Sequence, residues 1–67
     1  MGQYARKIIA LNVGKLRKIR KLKKEELSLL LGFDNSYISK LEKEKINITL
    51  DKIELIANFF GVSIRDL

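Results

Sequence analysis

The chain contains neither cysteine nor histidine, which removes most side chains that do covalent or metal chemistry. Thiolate nucleophiles, imidazole general bases, disulfides, zinc fingers and soft-metal sites are all excluded. No Gly-rich phosphate cradle appears either, so neither an enzyme nor a resident cofactor or metal is expected. What remains is hydrogen-bonding and cationic chemistry, and it gathers around residue 35. Asn35 can pair bidentately with adenine, Lys40 can reach guanine O6 and N7, and Ser36 can serve either kind of base edge. Lys23, Lys24, Lys43 and Lys45 flank this group where phosphates would lie, contacts that place a protein on a duplex without specifying sequence. Each has a plainer reading. Asn35 could simply begin a helix and the lysines could be solvated charge. Tyr37 could stack on a sugar, bond a phosphate, or only cover a helix surface.

The charge of the whole chain agrees with a polyanionic partner. Fourteen Lys and Arg against eight Asp and Glu give +6. The distribution is uneven: Arg6, Lys7, Lys15, Arg17, Lys18, Arg20, Lys21, Lys23 and Lys24 precede the first acid, Glu25. Such a surface points to nucleic acid or an anionic membrane. At 67 residues, 46% of them apolar, the chain makes one domain with a single core. No apolar run approaches the roughly 20 residues of a membrane span, and the N-terminus lacks a signal-peptide apolar region. A cytoplasmic protein is expected.

The elements that must position these groups read as helices. Ala5, Ile9, Val13 and Leu16 recur at helical spacing and predict a first helix over about 3–20. Leu27, Leu30 and Leu31 mark a short second helix from near Lys23, with Glu25 and Glu26 in its first turn, where acids suit the dipole. Gly32 sits where a left-handed glycine would end it. Asp34 is placed to cap a third helix, 35–42, with Ile38 and Leu41 inward. Thr49 can cap a fourth that runs to Phe60, with Leu50, Ile53, Ile56, Ala57 and Phe60 as its core candidates and Gly61 as its stop. Ser63 opens a last turn or short helix. The alternation over 45–50 suggests a strand, but a lone strand would have no partner.

The segment 24–41 carries the most constrained pattern. Leu27, Leu31, Phe33, Ile38 and Leu41 are apolar, Ser28 is small, and Gly32 lies between two short helices, with Gly32, Phe33 and Asp34 as the turn between them. Helices meeting steeply across a short turn need these features. The arrangement leaves the start of the second helix free to enter a major groove. The sequence resembles the phage repressor and Cro family of transcriptional regulators without a gap from Ile9 to Leu67. The matching landmarks are Val13, Leu16-Arg17, Leu22, Leu27, Gly32, the run from Ser36 to Glu42, Asn47, Leu50, Ile56-Ala57 and Gly61-Val62-Ser63.

That resemblance implies an all-α, compact five-helix fold of lambda-repressor type, one domain over 1–67 with its helix-turn-helix at about 24–42. It also implies that Arg17 and Glu42 form a structural ion pair tying the first helix to the end of the third. Some positions depart from the family. Lys23-Lys24 replaces a usual Ser-Gln, and lysine meets a phosphate as a point charge without bracing an amide network. Glu44 replaces a common glycine and Ile48 a common proline, which predicts a different loop path or a slightly longer third helix. Tyr37-Ile38-Ser39 and 47–50 are similar to restriction–modification controller proteins. A phage or chromosomal repressor and a toxin–antitoxin antitoxin fit almost as well.

Three side chains discriminate only about three or four base pairs, at about 1–3 kcal/mol each, too little to select one site in a genome. Double-stranded DNA is therefore expected to be read by a homodimer on a pseudo-palindrome. Phe59, Val62, Ile64 and Leu67 offer apolar area for that contact. Two rivals remain. A membrane-surface helix would want Trp or Phe in the first helix, which has neither. A protein-interaction module would be expected to place acids on the leading edge of the third helix, where Asn35, Ser36 and Lys40 stand.

Overall fold

The computed structural model describes residues 3–67, and among them every regular element is helical. Helix α1 spans Gln3–Ile19, α2 Lys24–Leu30, α3 Tyr37–Glu42 and α4 Leu50–Phe60, and a 3-10 turn follows at Ile64–Asp66. The expected five helices are thus four α-helices and one tight turn. That last segment closes only i→i+3 bonds, Asp66 N–H to Ser63 O and Leu67 N–H to Ile64 O, and it delivers Leu67 into the core.

Helix α3 is central: it packs against both α1 and α2, with Val13, Leu27, Ile38, Leu41 and Ile56 at the fully enclosed middle of the core. From α4 come Ile53, Ile56, Ala57 and Phe60, the inward set expected from helical spacing. Leu50 is a correction. It stands 64% exposed at the start of α4, while Ile48 in the preceding loop is buried in its stead. The alternation over 45–50 reflects that loop, with Ile46 half-buried and Ile48 buried against the core, and no strand forms among the described residues.

All four α-helices end in the same way. In each, two backbone N–H groups fold back onto the last turn: Leu22 to Arg17 O and Lys21 to Lys18 O for α1, Phe33 to Ser28 O and Gly32 to Leu29 O for α2. The corresponding pairs are Lys45 to Lys40 O and Glu44 to Leu41 O for α3, and Val62 to Ala57 O and Gly61 to Asn58 O for α4. This is the Schellman arrangement, which puts one residue in the left-handed region. Gly32 holds it with φ 77° at no steric cost, but Lys21 and Glu44 hold it with φ 57° and 60°. The loop after α3 therefore keeps the path a glycine would take and α3 ends at Glu42, contrary to the expectation of a rerouted loop or a longer helix. The cost is carried as backbone strain at Glu44 itself.

Candidate functional site

The α2–turn–α3 unit is held by a buried hydroxyl as well as by its apolar set. Ser28 Oγ donates to Lys24 O (2.9 Å) and accepts the N–H of Ile38 (3.0 Å), one of the N–H groups that a helix start leaves without an internal partner. Its small size was legible from sequence. Its service as a cap from a neighbouring helix was not.

The turn between the two helices is longer than expected and occupies 31–36. Asp34 does not cap α3, whose N-cap is Ser36 with no side-chain cap bond; its carboxylate instead closes the preceding turn, accepting Ser36 N–H at 3.2 Å. The chain then makes one i→i+3 turn, Tyr37 N–H to Asp34 O, before α3 proper begins. Asn35 and Ser36 therefore sit on the turn leading into α3 instead of inside it. Ser36 Oγ also donates to Asp34 Oδ2, at 2.5 Å. These two bonds, the hydroxyl's first, hold the Asp34 carboxyl below its ordinary value, with the nearby Lys40 cation adding to the effect. Asn35 and Lys40 are exposed and Ser36 is half-buried, so the three form one polar edge along the turn and the first face of α3.

Tyr37 belongs to a different group. Its ring lies 4.6 Å from that of Phe33, and Lys52 of α4 places its ammonium 4.6 Å from the Tyr37 centroid and 5.5 Å from the Phe33 centroid. Cation and ring face attract, so α4 is clamped onto the turn. The Tyr37 hydroxyl is enclosed without a hydrogen-bond partner, and burial raises its pKa. In this conformation the phenol covers α3 and does not reach outward to a phosphate. Nothing in the sequence marked Lys52 as its partner.

The far end of α3 is fixed to α1. Arg17 Nε donates to Glu42 Oε2 at 2.7 Å and Nη2 to Oε1 at 3.1 Å, while Nη1 donates to Leu22 O at 2.9 Å. The guanidinium fork thus grips the carboxylate with two bonds and the α1–α2 turn with a third. Gly14 makes room for this: a Cβ there would stand 3.3 Å from Glu42 Oε1. Arg20, read from sequence as part of the basic surface, also points home. Its Nη1 and Nη2 donate to the carbonyls of Phe59 and Phe60, 3.1 and 3.0 Å away, and it lies over both rings. It thereby serves the carbonyl end of α4, where a cation suits the helix dipole.

Lys23, Lys43 and Lys45 are exposed and Lys24 is half-buried. Lys23 and Lys24 stand at the start of α2, and Lys43 and Lys45 follow the end of α3. The residues expected to join two copies are placed unequally. Phe59 and Val62 are half-buried against the core and Leu67 is buried, leaving Ile64, 43% exposed, as the open one. Ile64 and Leu67 also line an apolar groove of about 260 Å³, where they meet Tyr4, Ala5, Ile8, Ile9 and Ile53. Among the described residues no group of acidic side chains could hold a metal ion, and no helix is long and apolar enough to cross a membrane.

A family model described as helix-turn-helix matches residues 13–67. A hypothetical transcription factor of Neisseria meningitidis is 34% identical over 65 residues, 97% of this chain and 61% of that protein. The chain therefore spans less than two thirds of that relative's length. The HTH-type transcriptional regulator y4dJ of Sinorhizobium fredii is 34% identical over 58 residues, covering 87% of this chain and 75% of that one. Among solved structures, the hypothetical transcription factor NHTF from Neisseria superposes with a TM-score of 0.86 at 33% identity, over 91% of this chain and 70% of its own. The restriction–modification controller protein C.AhdI from Aeromonas hydrophila superposes with a TM-score of 0.83 at 25% identity, over 94% of this chain and 96% of its own.

Proposed function

The chain belongs to the helix-turn-helix family of phage repressor and Cro type, and from that membership we propose that it is a transcriptional regulator reading a pseudo-palindromic operator as a homodimer. The observation that carries the reading is the polar edge of exposed Asn35 and Lys40 and half-buried Ser36, standing on a two-helix unit tied by the Ser28 hydroxyl. Asn35 and Lys40 offer donors to base edges, and Ser36 offers its hydroxyl. Lys23, Lys24, Lys43 and Lys45 lie at the ends of α2 and α3, the positions from which they would meet phosphates on either side. Tyr37 braces α3 from within. A second copy would seat on the apolar groove that includes Ile64 and Leu67, leaving Asn35 and Lys40 free. The likeness to C.AhdI favours a controller-type role over an antitoxin. No membrane is required, and a cytoplasmic location follows from an operator partner.

The test is binding to duplexes selected from a random pool, followed by sedimentation with the selected site. Two chains per pseudo-palindromic duplex are expected, with log K falling by about 0.9 per phosphate contact for each unit of log salt. Binding insensitive to salt, or saturation at one chain per duplex, would contradict the reading.

A further inference from the structure

Two donors converge on one oxygen at the leading edge of α3. Ser36 N–H and Ser36 Oγ–H both donate to Asp34 Oδ2, at 3.2 and 2.5 Å. A serine hydroxyl has one proton to give, and here that proton is already committed to the carboxylate. Toward any third group Ser36 can therefore only accept. The Asp34 carboxylate beside it, fully exposed, is an acceptor as well.

We infer that Asp34 sets the hydrogen-bond polarity of Ser36, making this point of the reading edge select an amino group, adenine N6 or cytosine N4, and reject guanine and thymine. In the major groove guanine presents N7 and O6 and thymine presents O4, acceptors in each case. Either would face the lone pairs of Ser36 with no proton between them. Adenine and cytosine present an exocyclic amino donor, which the Ser36 oxygen can receive while its own proton stays on Asp34. Lys40, on the next turn of α3, has donors only and takes the opposite preference, for guanine. Asp34 is thus a positioning residue: it need not touch a base to decide which base Ser36 accepts. The inference rests on the proposed reading of DNA by Asn35, Ser36 and Lys40.

The experiment is selection from randomised duplexes with the whole chain, comparing wild type, Ser36→Ala, Asp34→Asn and Asp34→Ala. Wild type should select adenine or cytosine over guanine or thymine by about tenfold at one position per half-site, and Ser36→Ala should abolish that preference. Asp34→Asn keeps a carbonyl oxygen where the two donors converge, so it should retain the preference, while the lost negative charge tightens binding to every sequence alike. Asp34→Ala frees the Ser36 proton and should admit guanine and thymine to within about twofold of adenine and cytosine. A purely structural cap at Asp34 would lower affinity evenly and leave the base profile alone. That outcome overturns the inference, as does a wild-type preference for guanine or thymine at the position Ser36 controls. A selected motif that ignores changes at 34 and 36 overturns it while leaving the proposed function standing. Failure to select any duplex sinks both.

Discussion

Replacing Arg17 by methionine should be among the most damaging single changes to this domain that leave its apolar core intact. The guanidinium makes three charge-assisted bonds, two to Glu42 and one to Leu22 O, and the paired side chains are only 10% and 13% exposed. Methionine fills much of the same volume, so the loss is electrostatic. It leaves the Glu42 carboxylate enclosed without a cation, against a Gly14 surface that offers it no donor. Removing one partner of a buried pair costs about 3–5 kcal/mol. The residual exposure of Glu42 lets water approach, which sets the expectation near the lower end, about 3 kcal/mol. For a domain of this size total stability is on the order of 3–10 kcal/mol, and each kcal/mol moves Tm by about 4–8 °C. A fall of roughly 12–24 °C is expected.

The double variant Arg17→Met/Glu42→Leu separates the pair from its cavity. With both charges gone no group is left enclosed and unpaired except Leu22 O, so the double variant should lose only about 1 kcal/mol. It should therefore melt above the Arg17→Met single variant. The comparison is made by urea denaturation followed by far-UV circular dichroism, with equal m-values as the check that the states compared are alike. Strict additivity of the two single changes, or an Arg17→Met variant within about 0.5 kcal/mol of wild type, would refute the argument that the enclosed carboxylate is the source of the cost.

Glu44→Gly and Lys21→Gly should each stabilise the fold by about 0.5–1 kcal/mol, because left-handed strain of about 1–2 kcal/mol outweighs the added freedom of the unfolded chain. Thermal melts check both, and a loss at either position would show that its side chain makes a contact worth more than the strain. Arg20→Ala should cost about 1–2 kcal/mol through the lost bonds to the Phe59 and Phe60 carbonyls, and Arg20→Lys should recover less than half because a single ammonium nitrogen lacks the fixed, spaced N–H pair of the guanidinium; full recovery by lysine would mean that charge alone matters. Asp34 has a depressed pKa, so its contribution to stability is present above its unfolded value and is lost as pH falls through the folded one. Carboxyl NMR should find it titrating below 3.8 in wild type and moving upward in Ser36→Ala, since Ser36 is the first cause of the shift.

What the sequence disclosed and what it withheld divide along a physical line. Apolar spacing located α1, α2 and α4 because a helix repeats its inward face, and Thr49 announced α4 because its hydroxyl caps locally, accepting Lys52 N–H. The pairing of Arg17 with Glu42, 25 residues apart, was reached through family resemblance, since no spacing connects them. Arg20 stayed hidden because its acceptors are backbone carbonyls, which every residue has. The left-handed turns at Lys21 and Glu44 were invisible for a related reason. Neither residue favours that conformation, and the closing bonds of the helix impose it. The start of α3 was misplaced because an Asp that closes a turn ahead of a helix looks the same in sequence as one that caps the helix. Phe59 and Val62 were read as spare area because only the path of the chain shows that both rest against the core.

The basic character of the chain is also less uniform than its charge suggests. Within α1 and the residue that follows it, buried Arg17 and exposed Arg20 both fold onto the protein's own acceptors, one gripping a carboxylate and a carbonyl, the other two carbonyls. Both tasks use a planar fork that presents N–H groups in fixed, spaced directions, a geometry that lysine's single ammonium does not reproduce. The exposed cations flanking Asn35, Ser36 and Lys40 are all lysines, hydrated point charges suited to phosphates that need no fixed geometry. Arg17 and Arg20 therefore hold the frame, and on the proposed reading the exposed lysines would make the contact. Exchanging the two residue types should be asymmetric: arginine at 23, 43 or 45 would leave the fold untouched and raise affinity for any duplex, whereas lysine at 17 or 20 would weaken the frame on which Asn35, Ser36 and Lys40 depend. On the proposed reading, specificity would reside in the polar edge and its Asp34 neighbour, and the surrounding lysines would govern how strongly and with what salt dependence that edge is held against the groove.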